Sequence, residues 1–91
     1  MTGYRLALEG SITRKVRMPM HYRKTEREAA QWARALLISV AESDDMHRAN
    51  IAETLEFWTV DEIVSDLEAC GVCDMLVCGG FYSLSIRRDA A

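Results

Sequence analysis

The sequence predicts an α+β domain: a mainly antiparallel sheet, built from an N-terminal β-hairpin, a middle strand and a C-terminal β-hairpin, with two helices on one face. Three observations carry that expectation. The first 22 residues alternate apolar and polar side chains, two capping boxes each open an apolar stripe of helical period, and Gly79-Gly80 divides two further alternating runs. A chain of 91 residues sustains one hydrophobic core and not two, so residues 1–91 read as a single domain.

In the N-terminal segment Tyr4, Leu6, Leu8, Ile12, Val16, Met18, Met20 and Tyr22 share one parity, and Arg5, Glu9, Thr13, Lys15, Arg17, Pro19 and His21 share the other. A loop at Thr13-Arg14-Lys15 then sets Ile12 against Val16, Leu8 against Met20 and Leu6 against Tyr22. Pro19 has no N–H to give a ladder, which marks the second strand as an edge or as bulged.

Thr25-Glu26-Arg27-Glu28 is a capping box, and Ala29, Trp32, Ala33, Leu36, Leu37, Val40 and Ala41 form the apolar stripe of the helix it opens. A polar stretch from Ser43 to Asn50 follows. Alternation through Ile51, Glu53, Leu55 and Phe57 favours a strand from Ile51 to Trp58, although Asn50 to Glu53 could also cap a short helix. Thr59-Val60-Asp61-Glu62 is the second capping box. The stripe behind it is Val60, Ile63, Val64, Leu67 and Cys70, and Gly71 supplies the left-handed residue that ends the helix.

A turn at Gly79-Gly80 sets Val77 opposite Tyr82, Met75 opposite Leu84 and Cys73 opposite Ile86, one apolar face throughout. The reverse face of that hairpin carries Leu76, Cys78 and Phe81, apolar residues on the side that meets water. Such a patch reads as the centre of an interface with a protein partner, and a homodimer through the C-terminal hairpin is its economical form.

Charge is divided along the chain. From Arg5 to Arg27 seven cations meet two anions, whereas from Glu42 to Asp74 ten anions meet one cation. Strand parity gathers Arg5, Lys15, Arg17, His21 and Arg23 on one side of the first hairpin, a face able to follow a phosphate backbone but without interleaved aromatics for stacking on bases. Asp61, Glu62, Asp66 and Glu68 lie off the buried stripe of the second helix, a solubilising row that could also engage a basic protein surface.

The chemistry-bearing residues point away from catalysis. Cys70-Gly71-Val72-Cys73 has the CxxC spacing, but Cys70 closes a helix beside Glu68 and Asp74, where the local field opposes a thiolate. Cys73 and Cys78 are an odd number apart along a strand, so alternation points them to opposite faces, unsuited to one zinc site. Asp44, Asp45 and His47 form an acid and imidazole group without a nucleophile at motif spacing, and the expected state of that loop is solvated. The sequence calls for no metal, no cofactor and no catalytic residue.

Met1 to Arg5 carry charge and alternation where a signal peptide carries an apolar block, and no run approaches the length of a membrane helix. With three cysteines crowded into nine positions, the expected compartment is the cytoplasm. The leading functional expectation is a non-enzymatic protein-binding module acting by occlusion, with Leu76, Cys78 and Phe81 for affinity and charge for orientation. In size, acidity and lack of catalytic motif the chain resembles, in general type, the small accessory inhibitors of phages and mobile elements, anti-CRISPR-type inhibitors among them. The alternative is a small nucleic-acid-binding regulator using Arg5, Lys15, Arg17 and Arg23.

Overall fold

A computed structural model describes residues 2–10, 22–23, 25–80 and 82–90. In chain order the elements are β1 (Thr2–Gly10), β2 (Tyr22–Arg23), α1 (Glu26–Ser43), α2 (Arg48–Phe57), α3 (Val60–Cys70), β3 (Val72–Val77) and β4 (Tyr82–Ala90). The strands form one antiparallel sheet in the order β2-β1-β4-β3, and the helices cover one of its faces. This is the α+β architecture that the alternation and the capping boxes imply.

Parity decides which side of the sheet is covered. Tyr4, Leu6 and Leu8 of β1, Cys73, Met75 and Val77 of β3, and Leu84 and Ile86 of β4 all point into the core, where they meet Ala29, Ala30, Ala33, Leu36 and Leu37 of α1, Ile51 of α2, and Ile63 and Leu67 of α3. Arg5, Ala7, Asp74, Leu76 and Arg87 point to the bare face and are exposed. The hairpin register is the expected one, Val77 opposite Tyr82, Met75 opposite Leu84 and Cys73 opposite Ile86.

Both helix starts form as their sequences require. The Thr25 and Thr59 side chains accept from the backbone N–H of Glu28 and Glu62 at 3.1 and 3.2 Å. At the other end of α3, Gly71 takes φ of 71° and its N–H reaches the Leu67 carbonyl at 2.8 Å. Cys70 departs from its expected place in the buried stripe: it is exposed, because it is the last residue of α3 and the chain turns away at Gly71.

The segment from Ile51 to Trp58 is helical, not a strand, so three helices rather than two lie on the sheet. Only Ile51 of α2 is fully buried, and an amphipathic pattern that thin also fits alternation. Tertiary contact settles the matter: the Arg34 guanidinium on α1 donates to the Leu55 carbonyl at 2.5 Å and to the Trp58 carbonyl, capping the end of α2.

The N-terminal strand also has a different main partner. β1 lies in the middle of the sheet and pairs along its whole length with β4, Leu6 opposite Ile86 and Leu8 opposite Leu84, so its apolar side chains find neighbours far away in the chain. Against β2 the register is Arg5 opposite Tyr22 and Tyr4 opposite Arg23, which replaces the expected Leu6 and Tyr22 pair. The loop at Thr13-Arg14-Lys15, the pairs of Ile12 with Val16 and Leu8 with Met20, and the edge or bulge at Pro19 lie outside the described residues.

One polar knot ties the elements together on the covered side. Tyr4 Oη donates to Glu26 Oε1 at 2.9 Å and accepts from Arg88 Nε at 3.2 Å, while Arg88 Nη2 donates to the Leu67 carbonyl at 3.0 Å. Burial, together with the Glu26 carboxylate, holds the Tyr4 hydroxyl above its ordinary range. Strands β1 and β4 are thereby joined to α1 and to the C-terminus of α3.

Candidate functional site

The first half of the site is an α2 face. Asn50, Glu53, Thr54 and Phe57 recur at spacings of three and four, so one side of the helix presents them together. β3 supplies the other half through Leu76, and the turn after it adds Cys78 and Gly79. Between them runs an open groove of about 430 Å³, with Trp58 at its end. Phe57 is 69% exposed and Leu76 is 71% exposed, and the Phe57 ring meets the Trp58 ring edge-on at 5.4 Å. Large apolar side chains left in water on both sides of one groove are the most unusual surface feature among the described residues.

The expected trio does not assemble as a strand face. Leu76 is on the bare side of the sheet as alternation requires, but Cys78 has left the strand with φ of 56°, and the following Gly79 and Gly80 have φ of 65° and 98°. The two-residue turn is thus a longer left-handed one, and it swings Cys78 back toward the core, its thiol 3.9 Å from the His47 carbonyl. Cys73 and Cys78 therefore do not point to opposite sides; both lie against the core. Phe81 lies outside the described residues. Phe57, which sequence reasoning did not single out, stands beside Leu76 instead; its signal was an aromatic residue at the end of an acidic segment with no place in an apolar stripe.

Cys73 and Cys78 are poor thiolates. Cys73 is 1% exposed, and burial, reinforced by the Asp66 and Asp74 carboxylates, pushes its thiol up to about 12. Burial raises Cys78 as well, with Asp44 adding to the effect. Among the described residues no three histidine, cysteine or acidic side chains gather as metal ligands do.

The loop between α1 and α2 is not simply solvated. Asp44 Oδ2 accepts from Tyr82 Oη at 2.6 Å and lies 2.8 Å from His47 Nδ1, while Asp44 Oδ1 accepts from the His47 N–H at 3.2 Å. The Tyr82 hydroxyl first, and then His47, hold the Asp44 carboxyl below its ordinary range. The cluster joins α2's first turn to β4, and so fixes one wall of the groove relative to the sheet. Asp45 remains exposed and pairs with Arg48.

The charged rows divide in the same way. Asp61, Glu62 and Glu68 are exposed on α3, with Asp61 3.2 Å from Arg27, but Asp66 is half-buried beside Cys73. On the bare sheet face Arg5 stands directly opposite Arg87, which in turn lies 3.7 Å from Asp74. Lys15, Arg17 and His21 lie outside the described residues, and the backbone of Arg23 pairs with Tyr4, not with the row of Arg5. No helix among the described residues is long and apolar enough to cross a membrane. No family model, curated protein or solved structure matches the chain.

Proposed function

We propose that the chain is a non-enzymatic protein-binding module that acts by covering a surface of a macromolecular partner. The observation that carries this reading is the pairing of exposed Phe57 with exposed Leu76 across one groove. Transfer of a single such side chain out of water supplies about 1.5–3 kcal/mol, so two of them supply the centre of a modest interface. The acidic residues of α2 and α3 orient the partner by charge. An accessory inhibitor of a host complex, of the kind that phages and mobile elements encode, is the form of this reading suggested by the size, the acidity and the lack of catalytic motifs; its compartment would be the cytoplasm.

The experiment is partner capture with tagged protein, repeated with Leu76→Ser and Phe57→Ser. Each substitution is expected to weaken capture about tenfold while leaving the thermal midpoint nearly unchanged, since both side chains are already in water. Undiminished capture by the double variant would remove the proposal.

A second reading is favoured by the Arg5 and Arg87 row on the bare sheet face, two like charges directly opposite each other. Such a row suits phosphates. A gel shift at about 50 mM salt tests it, and Arg87→Glu should abolish any shift; absence of binding at that salt disposes of this alternative.

A further inference from the structure

Among the described residues β3 is a sheet edge, and the ladder shows which of its backbone groups are left over. The Arg88 N–H donates to the Gly71 carbonyl at 2.7 Å, which makes that pair a hydrogen-bonded one. Hydrogen-bonded pairs alternate along an antiparallel ladder, so Cys73, Met75 and Val77 turn their N–H and C=O groups toward β4. Val72, Asp74 and Leu76 turn theirs outward. Their side chains share the bare face of the sheet, and the groove against α2 runs beside the end of this edge at Leu76. An open edge with a helix alongside and an apolar groove between them is the geometry that takes up an extended peptide as an added strand.

We propose that β3 binds an extended, cationic and apolar segment of another protein by strand addition, the backbone of Val72, Asp74 and Leu76 forming the new ladder. This rests on the protein-binding reading above and names its mode. Charge selects the occupant. Glu53 is the charged side chain that lines the groove and Glu56 follows on α2, whereas Asp74 in the outward row already lies 3.7 Å from Arg87. A strand whose alternate lysines or arginines turn toward α2 meets Glu53 with opposite sign and lays their stems over Phe57, while the apolar residues between them cover Leu76 on the bare face. A second copy of this chain fits less well. The self-pairing that uses all three outward residues of both copies sets Val72 on Leu76 and Asp74 on Asp74, carboxylate against carboxylate, and brings two acidic α2 helices together.

The test uses the whole chain and three synthetic octapeptides. One alternates valine and lysine, one alternates valine and glutamate, and one is the lysine peptide N-methylated at alternate residues, which removes its ladder donors. Amide hydrogen exchange read by NMR is expected to slow about tenfold or more at Val72, Asp74 and Leu76 with the lysine peptide, and to be unchanged with the other two. Leu76→Pro, which removes an outward N–H and no bond to β4, should abolish the effect while the exchange pattern of β1 and β4 stays as in the parent.

Four results overturn the proposal. They are no slowing with the lysine peptide at millimolar concentration, equal slowing with the glutamate peptide, binding of the N-methylated peptide as tightly as its parent, and slowing without peptide that grows with protein concentration, which would assign the edge to a second copy. The third of these leaves the groove reading standing if Phe57→Ser abolishes binding of both lysine peptides. Slowing that persists undiminished in Phe57→Ser would instead sink the groove reading and keep the edge.

Discussion

The Tyr82 hydroxyl donates to the Asp44 carboxylate at 2.6 Å, joining the start of β4 to the loop between α1 and α2. The same carboxylate holds both the ring and the backbone of His47, so one side chain positions the first turn of α2. Tyr82→Phe removes one donor and leaves the ring in place. It is expected to lower the thermal midpoint by about 5 °C, with Asp44→Ala lowering it further, as read by circular dichroism. Equal stability of parent and Tyr82→Phe would show that water replaces the bond at no loss.

Acid should act on this hub and on the knot of Tyr4, Glu26 and Arg88. Asp44 and Glu26 both have folded values below their ordinary ones of 3.8 and 4.5, Asp44 chiefly through Tyr82 and Glu26 through its own backbone N–H and then Tyr4. A carboxyl lowered by folding contributes stability that is fully present above its ordinary value and is lost as the pH falls through the lowered one. The thermal midpoint is therefore expected to be insensitive to these two groups at neutral pH and to fall as the pH drops below their ordinary values of 3.8 and 4.5. Asp44→Asn should start lower at pH 7 and show a shallower drop; an identical acid profile would contradict the assignment.

Thiol labelling separates the three cysteines by position. Cys70 is exposed, Cys78 half-buried and Cys73 buried with its thiol near 12. At pH 8 an aromatic disulfide reagent is expected to label Cys70 within minutes, Cys78 more slowly, and Cys73 only on unfolding. Rapid labelling of Cys73, or a Cys70–Cys73 disulfide in peptide mapping, would reinstate the CxxC pair as a redox motif.

Arg34 holds the end of α2 to α1 through two carbonyls. Arg34→Leu keeps the packing of the stem but leaves both acceptors without that donor, a loss of about 1–2 kcal/mol and so about 5–10 °C in the midpoint. The loss should appear first as faster amide exchange in 48–57. Uniform destabilisation with α2 no more open than β4 would show that the clasp is not local.

Short-range features were legible in the sequence. Thr25 and Thr59 announce their helices because a hydroxyl three residues before a glutamate satisfies donors that nothing else nearby can reach, and Gly71 ends α3 because left-handed backbone disfavours a Cβ. The C-terminal hairpin register follows from parity around two glycines. What stayed hidden depends on distant partners. Nothing near Leu6 and Leu8 announces Ile86 and Leu84, and nothing within Ile51 to Trp58 announces Arg34. The one local hint was Arg34 itself, a cation flanked at helical spacing by Ala30 and Leu37. At the site, Leu76 was legible by alternation. Cys78 was not, since a left-handed turn cancels parity, and Phe57 required knowing that its segment is a helix.

The partner along the whole of β1 is β4, the last of the described strands. While a ribosome adds the roughly 80 residues between them at about 5–20 residues per second, Tyr4, Leu6 and Leu8 are without their β4 neighbours for several seconds. The sheet closes only once β4 has left the exit tunnel, so the core does not form strand by strand as the chain emerges. Until β4 arrives, the apolar face of β1 is a surface of the kind that holding chaperones shield.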